Sequence, residues 1–357
     1  MSKHCRPRVY GTGLIVLDLV ESEVHPSTRL WAGGTCGNVL SILAFLGWDA
    51  LPVSRLRRDP AAEYVRSDLS RSGVRLDFLH LEPASDTPVI YQRIRKDSAG
   101  IPFHTFSWVC PGCGGRFPRY SPVTQATAQR IAGELLEPTV FFFDRVSRGS
   151  LTLAQTCAER GAVVVFEPSG IGDPALFAEA LKTTHILKYS HERMRSSMDL
   201  VLPELWRGAP VLEIETLGRG GLRYRCHTND YSAPTWELVR SYNVPGLRDT
   251  SGAGDWSTAG VVSQLSRGGV AGLLRADRSQ VLEALAFGQA LGAWNCGFEG
   301  ARGGMETVDR EELLSIIAQV IEANGVSSPV RETAPASTLQ VLHGICSNCA
   351  GRTDETG

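Results

Sequence analysis

Short apolar runs rich in β-branched and aromatic residues recur along this chain with helical patterns around them, and that alternation limits the fold more than any other feature. The runs are Thr139–Phe143, Ala162–Phe166, His185–Lys188 and Val211–Glu215, with helices predicted at about 124–136, 151–160 and 174–182. Strands of about five residues separated by helices imply βαβ units, and so a mainly parallel sheet covered on both faces. Nearer the start, Val39, Ile42, Leu43 and Leu46 share one helical face that Gly47 ends. Toward the other end, Asp309 with Glu312 forms a capping-box-like start, and Leu313, Ile317 and Val320 mark a buried face running to about Gly325.

Two segments break the alternation. Residues 86–106 (DTPVIYQRIRKDSAGIPFHTF) read as two strands joined by a turn at Asp97–Gly100, a hairpin. After Gly325 the chain turns polar and Ser/Pro-containing, which reads as a linker over 326–340 before a cysteine-bearing tail at 341–357.

Charge excludes some functions. Thirty-six Lys+Arg against 38 Asp+Glu leave a net charge of −2, which offers no bulk attraction to nucleic acid. No apolar run approaches the roughly 20 residues that span a bilayer. The best N-terminal apolar stretch, Gly13 to Val20, contains Asp18 and is followed by no small-residue cleavage site. A cytoplasmic protein with no membrane partner is expected. Nine cysteines, an odd count without an export signal, argue against a disulfide framework.

The chemistry concentrates in Asp249-Thr250-Ser251-Gly252-Ala253-Gly254-Asp255, which runs into a helix-forming stretch. A glycine-containing turn opening a helix lets backbone N–H groups approach an anion, and the helix dipole favours negative charge there. A carboxylate at its mouth, Asp255, is placed to take a proton from an attacking hydroxyl. Read alone, the same glycines would also suit a plain tight turn.

The whole heptad resembles the DTxGAGD signature of the ribokinase-like (PfkB) carbohydrate kinase family. Gly33-Gly34-Thr35-Cys36-Gly37-Asn38 resembles that family's GGxxxN sugar-binding motif, and Asp18 matches the Asp closing its first strand. Thr216-Leu217-Gly218-Arg219-Gly220-Gly221 is similar to its turn beside the nucleotide. The matches fall in the family's order and span about residues 8–325, so 1–325 is expected to be the kinase domain.

The resemblance implies a three-layer α/β/α fold with a small β-sheet lid, Mg-ATP as donor, and transfer of the γ-phosphoryl group to an alcohol of a sugar or nucleoside. It makes Asp255 the base and Gly252, Ala253 and Gly254 the anion hole. Asp18, Gly33, Gly34 and Asn38 bind the acceptor, and Thr216, Gly218 and Gly221 lie beside the nucleotide. It adds a monovalent cation (K⁺) at Asp249 and allows a homodimer formed through the lid.

The chain also departs from the family. Around Ile186–Arg193, Lys188 and Ser190 fit a K-x-S-x-x-E motif whose Glu organises water around Mg²⁺, but Arg193 stands at the Glu position. A shifted register makes Glu192 that Glu. The gap leaves open a catalytically weak, regulatory descendant. Arg55, Arg57 and Arg58, with Arg93, Arg95 and Lys96 of the hairpin, read either as a solvated basic face or as a pocket for a phosphorylated acceptor. Trp31 and Trp108 suit packing or stacking on substrate, and Cys36 a small buried thiol.

Cys110-Pro-Gly-Cys113 and Cys346-Ser-Asn-Cys349 are two C-x-x-C knuckles, each followed by a small residue. Such turns aim N–H groups at thiolates, and two supply the four ligands of a closed tetrahedral zinc site. Their separation far exceeds that of a compact zinc ribbon. A shared site therefore needs the tail to return to 107–120, with His104 and His343 as substitute ligands and a redox pair as the other reading.

Overall fold

The computed structural model describes residues 6–22, 28–98, 100–194, 210–227, 235–326, 342 and 344–349. Most of the predicted linker, and His343, lie outside them. The main sheet is eight-stranded in the order β14-β13-β12-β11-β10-β9-β1-β4. Its strands are β1 (Arg8–Thr12), β4 (Asp49–Pro52), β9 (Val140–Phe143), β10 (Val163–Phe166), β11 (Ile186–Ser190), β12 (Leu212–Thr216), β13 (Leu222–Cys226) and β14 (Glu237–Val239). From β4 to β12 every pairing is parallel, and β13 and β14 add an antiparallel edge. The four runs read from the sequence are thus β9 to β12, each offset by one residue at its start.

Two apolar layers sandwich the sheet. On one side α3 (Gln125–Glu134), α4 (Arg148–Glu159) and α5 (Pro174–Thr183) cover Phe141, Phe143, Val164 and Phe166. Phe143 and Phe166 stack there at 4.4 Å between centroids. On the other side lie α1 (Thr35–Phe45), α6 (Ala253–Leu265), the short α7 (Gly269–Leu273), α8 (Arg278–Asn295) and α9 (Arg310–Ala323). Burying each such large side chain is worth about 1.5–3 kcal/mol. The three-layer α/β/α expectation is met.

Local caps set the helix boundaries. Ser147 closes a capping box with Ser150, so α4 begins three residues before the predicted start. Asp59 accepts from Ala62 N–H ahead of Pro60, so α2 (Pro60–Arg71) opens there. Asp309 caps α9 through Glu312 N–H, and the helix ends at Asn324 in the left-handed conformation.

The lid is a four-stranded sheet, β3-β2-β7-β8, made of β2 (Val16–Ser22), β3 (Thr28–Gly33), β7 (Val89–Lys96) and β8 (Pro102–Ser107). Strands β7 and β8 are the predicted hairpin. Strands β2 and β3 are its other half, which the pattern did not separate from the core. A two-strand ribbon of β5 (Ser54–Leu56) and β6 (Leu79–Leu81) completes the described strands.

Candidate active site

Strand order reverses at β1: the chain passes to β4 on one side and later to β9 on the other. Open parallel sheets bind ligands outside the carboxyl ends of their strands at such a point. Gly13 follows β1 there and Asp144 follows β9, with Asp144 accepting from Leu14 N–H at 2.9 Å and from Arg145 at 2.8 Å. Burial pushes Asp144 up to about 6, against the opposing charge of Arg145. A β-carbon on Gly13 would fall 1.7 Å from Asp144 Oδ1, so the chain turns at this point only with glycine.

That turn corrects the placement of Asp18. It lies on β2, the first lid strand, rather than closing the first strand, because Gly13 ends β1 and redirects the chain. Burial raises Asp18 to about 7, while Arg302 and the Gly34 N–H oppose the rise. Gly33 faces it so closely that a β-carbon would meet its carboxylate. Asp18, Gly33 and Gly34 therefore lie together.

Helix α6 opens at Gly252, whose φ of +74° and position against the Ala301 carbonyl leave no room for a side chain. Asp255 sits in its first turn. Asn38, on α1, donates from Nδ2 to Asp255 Oδ2 at 2.7 Å, and Asn38 Oδ1 is buried without a hydrogen-bond partner. The two halves of the predicted site, 217 positions apart, meet in that bond. Asp255 is pushed up to about 7, first by burial and then by the like charge of Glu167, with Asn38, Lys188 and Arg193 pulling the other way. Of the expected anion-hole donors, Ala253 N–H is directed at Thr250 O at 3.3 Å. The first-turn N–H groups of a helix have no intrahelical acceptor.

Lys188 is almost fully buried. Its Nζ reaches Glu167 Oε1 at 2.7 Å and Gly254 O at 3.1 Å, bracing the loop from beneath. Thr258 donates to the other Glu167 oxygen at 2.5 Å. Glu167, at the end of β10, was missed in the sequence; an acid ending the run Val163–Phe166 was its only signal. Glu192 is exposed, and Ser190 lies opposite Thr216 where β11 and β12 pair. Gly218 and Gly221 bound a one-turn 3₁₀ helix after β12.

Asp249 is sunk below the loop. Its oxygens accept from Ser251 N–H and Oγ and from Gly300 N–H, each at 2.9 Å, and His104 Nδ1 lies 3.6 Å away. These donors hold its carboxyl below the usual range despite burial. Ser251 Oγ also meets Gln92 of β7, and His104 of β8 at 3.3 Å, so the lid touches the loop that opens α6.

The basic residues differ in their surroundings. Arg55 bonds Pro122 O and Glu82, Arg93 bonds Tyr91, and Arg57 and Arg58 are exposed. Trp31 packs with Val20 and Ile94 and donates to Glu306, which fits its packing reading. Cys36 is buried. The four knuckle cysteines do converge: their sulfurs all lie within 4.8 Å of one another.

No family model matches the chain. A curated relative, the ATP-dependent ribose-1-phosphate kinase of Halopiger xanaduensis, is 25% identical over 287 residues, covering 77% of this chain and 84% of that protein. The fructokinase of Xylella fastidiosa, solved with bound ATP, aligns with a TM-score of 0.69 at 18% identity over 88% of this chain and 99% of its own. A nucleoside kinase of Burkholderia thailandensis, solved with inosine, gives 0.64 at 17% identity over 88% and 97%. The chain has the ribokinase-like fold and resembles the PfkB carbohydrate kinases, with a four-cysteine cluster added to that framework.

Proposed function

We propose that this chain is an ATP-dependent kinase that phosphorylates a hydroxyl, by resemblance a hydroxymethyl, of a sugar or sugar derivative, with Asp255 as general base. The observation that carries the reading is the Asn38–Asp255 bond, which sets a carboxylate of raised pKa at the mouth of a glycine-opened helix. Asp255 would take the proton of the acceptor hydroxyl as its oxygen attacks the γ-phosphorus and ADP leaves. Most of the rate then comes from positioning and charge neutralisation. Asn38 Oδ1 and Asp18 are the polar groups offered to acceptor hydroxyls.

Glu192, exposed after β11, suits Mg²⁺ because it offers hard oxygen ligands, while both Glu167 oxygens are already engaged by Lys188 and Thr258. Bound Mg²⁺ would neutralise phosphate charge. Thr216, Ser190, Gly218 and Gly221 would border the nucleotide, while Lys188 acts from below as a brace. If Asp249 helps hold K⁺, turnover should fall sharply when K⁺ is replaced by a bulky organic cation. Unchanged turnover would remove the cation reading.

Acceptor choice is open between a sugar, the phosphorylated sugar in the curated relative's name, and a nucleoside like that bound by one structural neighbour. The bonded Asn38–Asp255 pair speaks against a regulatory descendant. Asp255 must be ionised to act, so turnover should rise with pH through about 7. Glu167→Gln removes the like charge and should move that limb to lower pH. A limb that stays in place would show that Glu167 does not act on the base.

A further inference from the structure

We propose that Cys110, Cys113, Cys346 and Cys349 hold one Zn²⁺ as a structural clasp that pins the C-terminal segment to the base of the lid. The geometry fits a metal better than any pairing of the thiols alone. Cys110 and Cys349 sulfurs are 3.7 Å apart, and Cys113 and Cys346 sulfurs 3.6 Å. Zn–S bonds of about 2.3 Å at tetrahedral angles separate sulfurs by about 3.8 Å. A disulfide requires about 2.0 Å. These two contacts join one knuckle to the other, whereas a C-x-x-C redox couple would pair within a knuckle.

The backbone is prepared for the ion. Gly114 N–H donates to Cys110 O at 2.9 Å and Cys110 N–H to Gly115 O at 2.8 Å, closing the first knuckle. Cys349 N–H donates to Cys346 O at 2.9 Å, closing the second. Three of the four cysteines are buried, and Leu342 beside them is only 2% exposed and joins the main apolar core. A β-carbon on Gly115 would strike the Asn348 amide, and one on Gly112 would press on Leu342, so the two knuckles are fitted to each other. Four thiolates leave no open coordination position, which makes the ion structural rather than catalytic.

Its location gives the clasp a purpose. The first knuckle follows β8 directly: Val109 bridges to Arg116, Phe117 N–H donates to Trp108 O at 2.8 Å, and Pro118 O accepts from Val89 N–H at the start of β7. The chain therefore leaves the lid at β8, loops around the four sulfurs and returns to the foot of β7. Trp108 packs on Leu14, Val16 and Ile90, and Ile90 pairs with Asp18 across the lid sheet. Holding this loop steadies the lid strands that carry Asp18, Gln92 and His104. The effect on acceptor use rests on the kinase reading; the metal site itself does not.

The test begins with the metal content of the full chain purified without chelator. One zinc per chain is expected, lost in Cys110→Ser and in Cys349→Ser. Because a variant can fail by misfolding, the wild-type chain loaded with Co²⁺ provides a second readout, the visible bands of a tetrahedral thiolate site. A protease site engineered between 330 and 338 tests the clasp: after cleavage the tail should stay bound with zinc and dissociate on chelation. Stoichiometric zinc that survives both cysteine substitutions, iron in place of zinc, or four freely titrating thiols in the native protein would overturn the assignment. If turnover has been found, chelation should raise KM for the acceptor more than KM for ATP. An unchanged acceptor KM with zinc confirmed would remove the lid role alone.

Discussion

Replacing Asp255 with Asn should lower turnover by about 10²–10⁴-fold, the range for loss of a general base, and leave the protein folded. The amide oxygen of Asn can still accept from Asn38, so the contact between α1 and α6 is kept. The charge it removes is an unfavourable one: burial and Glu167 both disfavour ionised Asp255. Melting temperature should therefore hold or rise slightly, and ATP binding should persist. Loss of activity with loss of folding would point to a structural role for Asp255, and retained turnover would remove it as the base.

Arg302→Met is expected to destabilise the fold by about 3–5 kcal/mol, the usual result of stripping one partner from a buried ion pair. Arg302 is buried between the lid and α2. It bonds Asp68 at 2.5 Å, Ser72 Oγ at 2.9 Å, and the Ala32 carbonyl of β3. Asp68 keeps Arg71 at 2.7 Å and the Ala32 N–H at 2.9 Å, which places the loss toward the lower end. The same substitution removes the positive charge that opposes protonation of Asp18, so Asp18 should move above its value of about 7. Its proton would then stay on at neutral pH, and the pH window over which acceptor affinity changes should move upward. Urea unfolding measures the first effect and the pH dependence of acceptor KM the second. A cost under about 1 kcal/mol, typical of a surface ion pair, would mean that Arg302 is solvated.

What could be read in the sequence depended on whether a residue's role is local. Strands such as Val163–Phe166 show because parallel strands buried on both faces are continuously apolar. The helix opened by Asp309 shows because a cap acts within three residues, whereas the starts set by Asp59 and Ser147 were not marked in the pattern. The edge strands β13 and β14 did not show, since Leu222–Cys226 alternates apolar residues with arginines that bond Glu213 and Glu215 on the neighbouring strand. Helix α8 was also missed: a β-carbon on Gly260 would collide with Gly288, so the approach of α6 depends on small residues that look like helix breakers in isolation.

The site divides in the same way. The glycine-opened helix, Asp255 and Asn38 are motif residues, and Asn38 and Asp255 are in contact. Glu167, Asp144, Arg302 and His104 are single charged or titratable residues whose meaning comes from neighbours remote in sequence. The cysteines are an intermediate case: each knuckle is local, but only the fold brings Leu342 and Cys346 back to the base of the lid.

The central claim is tested most directly by measuring Mg-ATP consumption with sugars, sugar phosphates, polyols and nucleosides, running Asp255→Asn in parallel. The account predicts turnover with one acceptor class, sugar or sugar phosphate first, and its near-complete loss in the variant. ATP binding without turnover on any acceptor, or turnover that Asp255→Asn leaves intact, would contradict it.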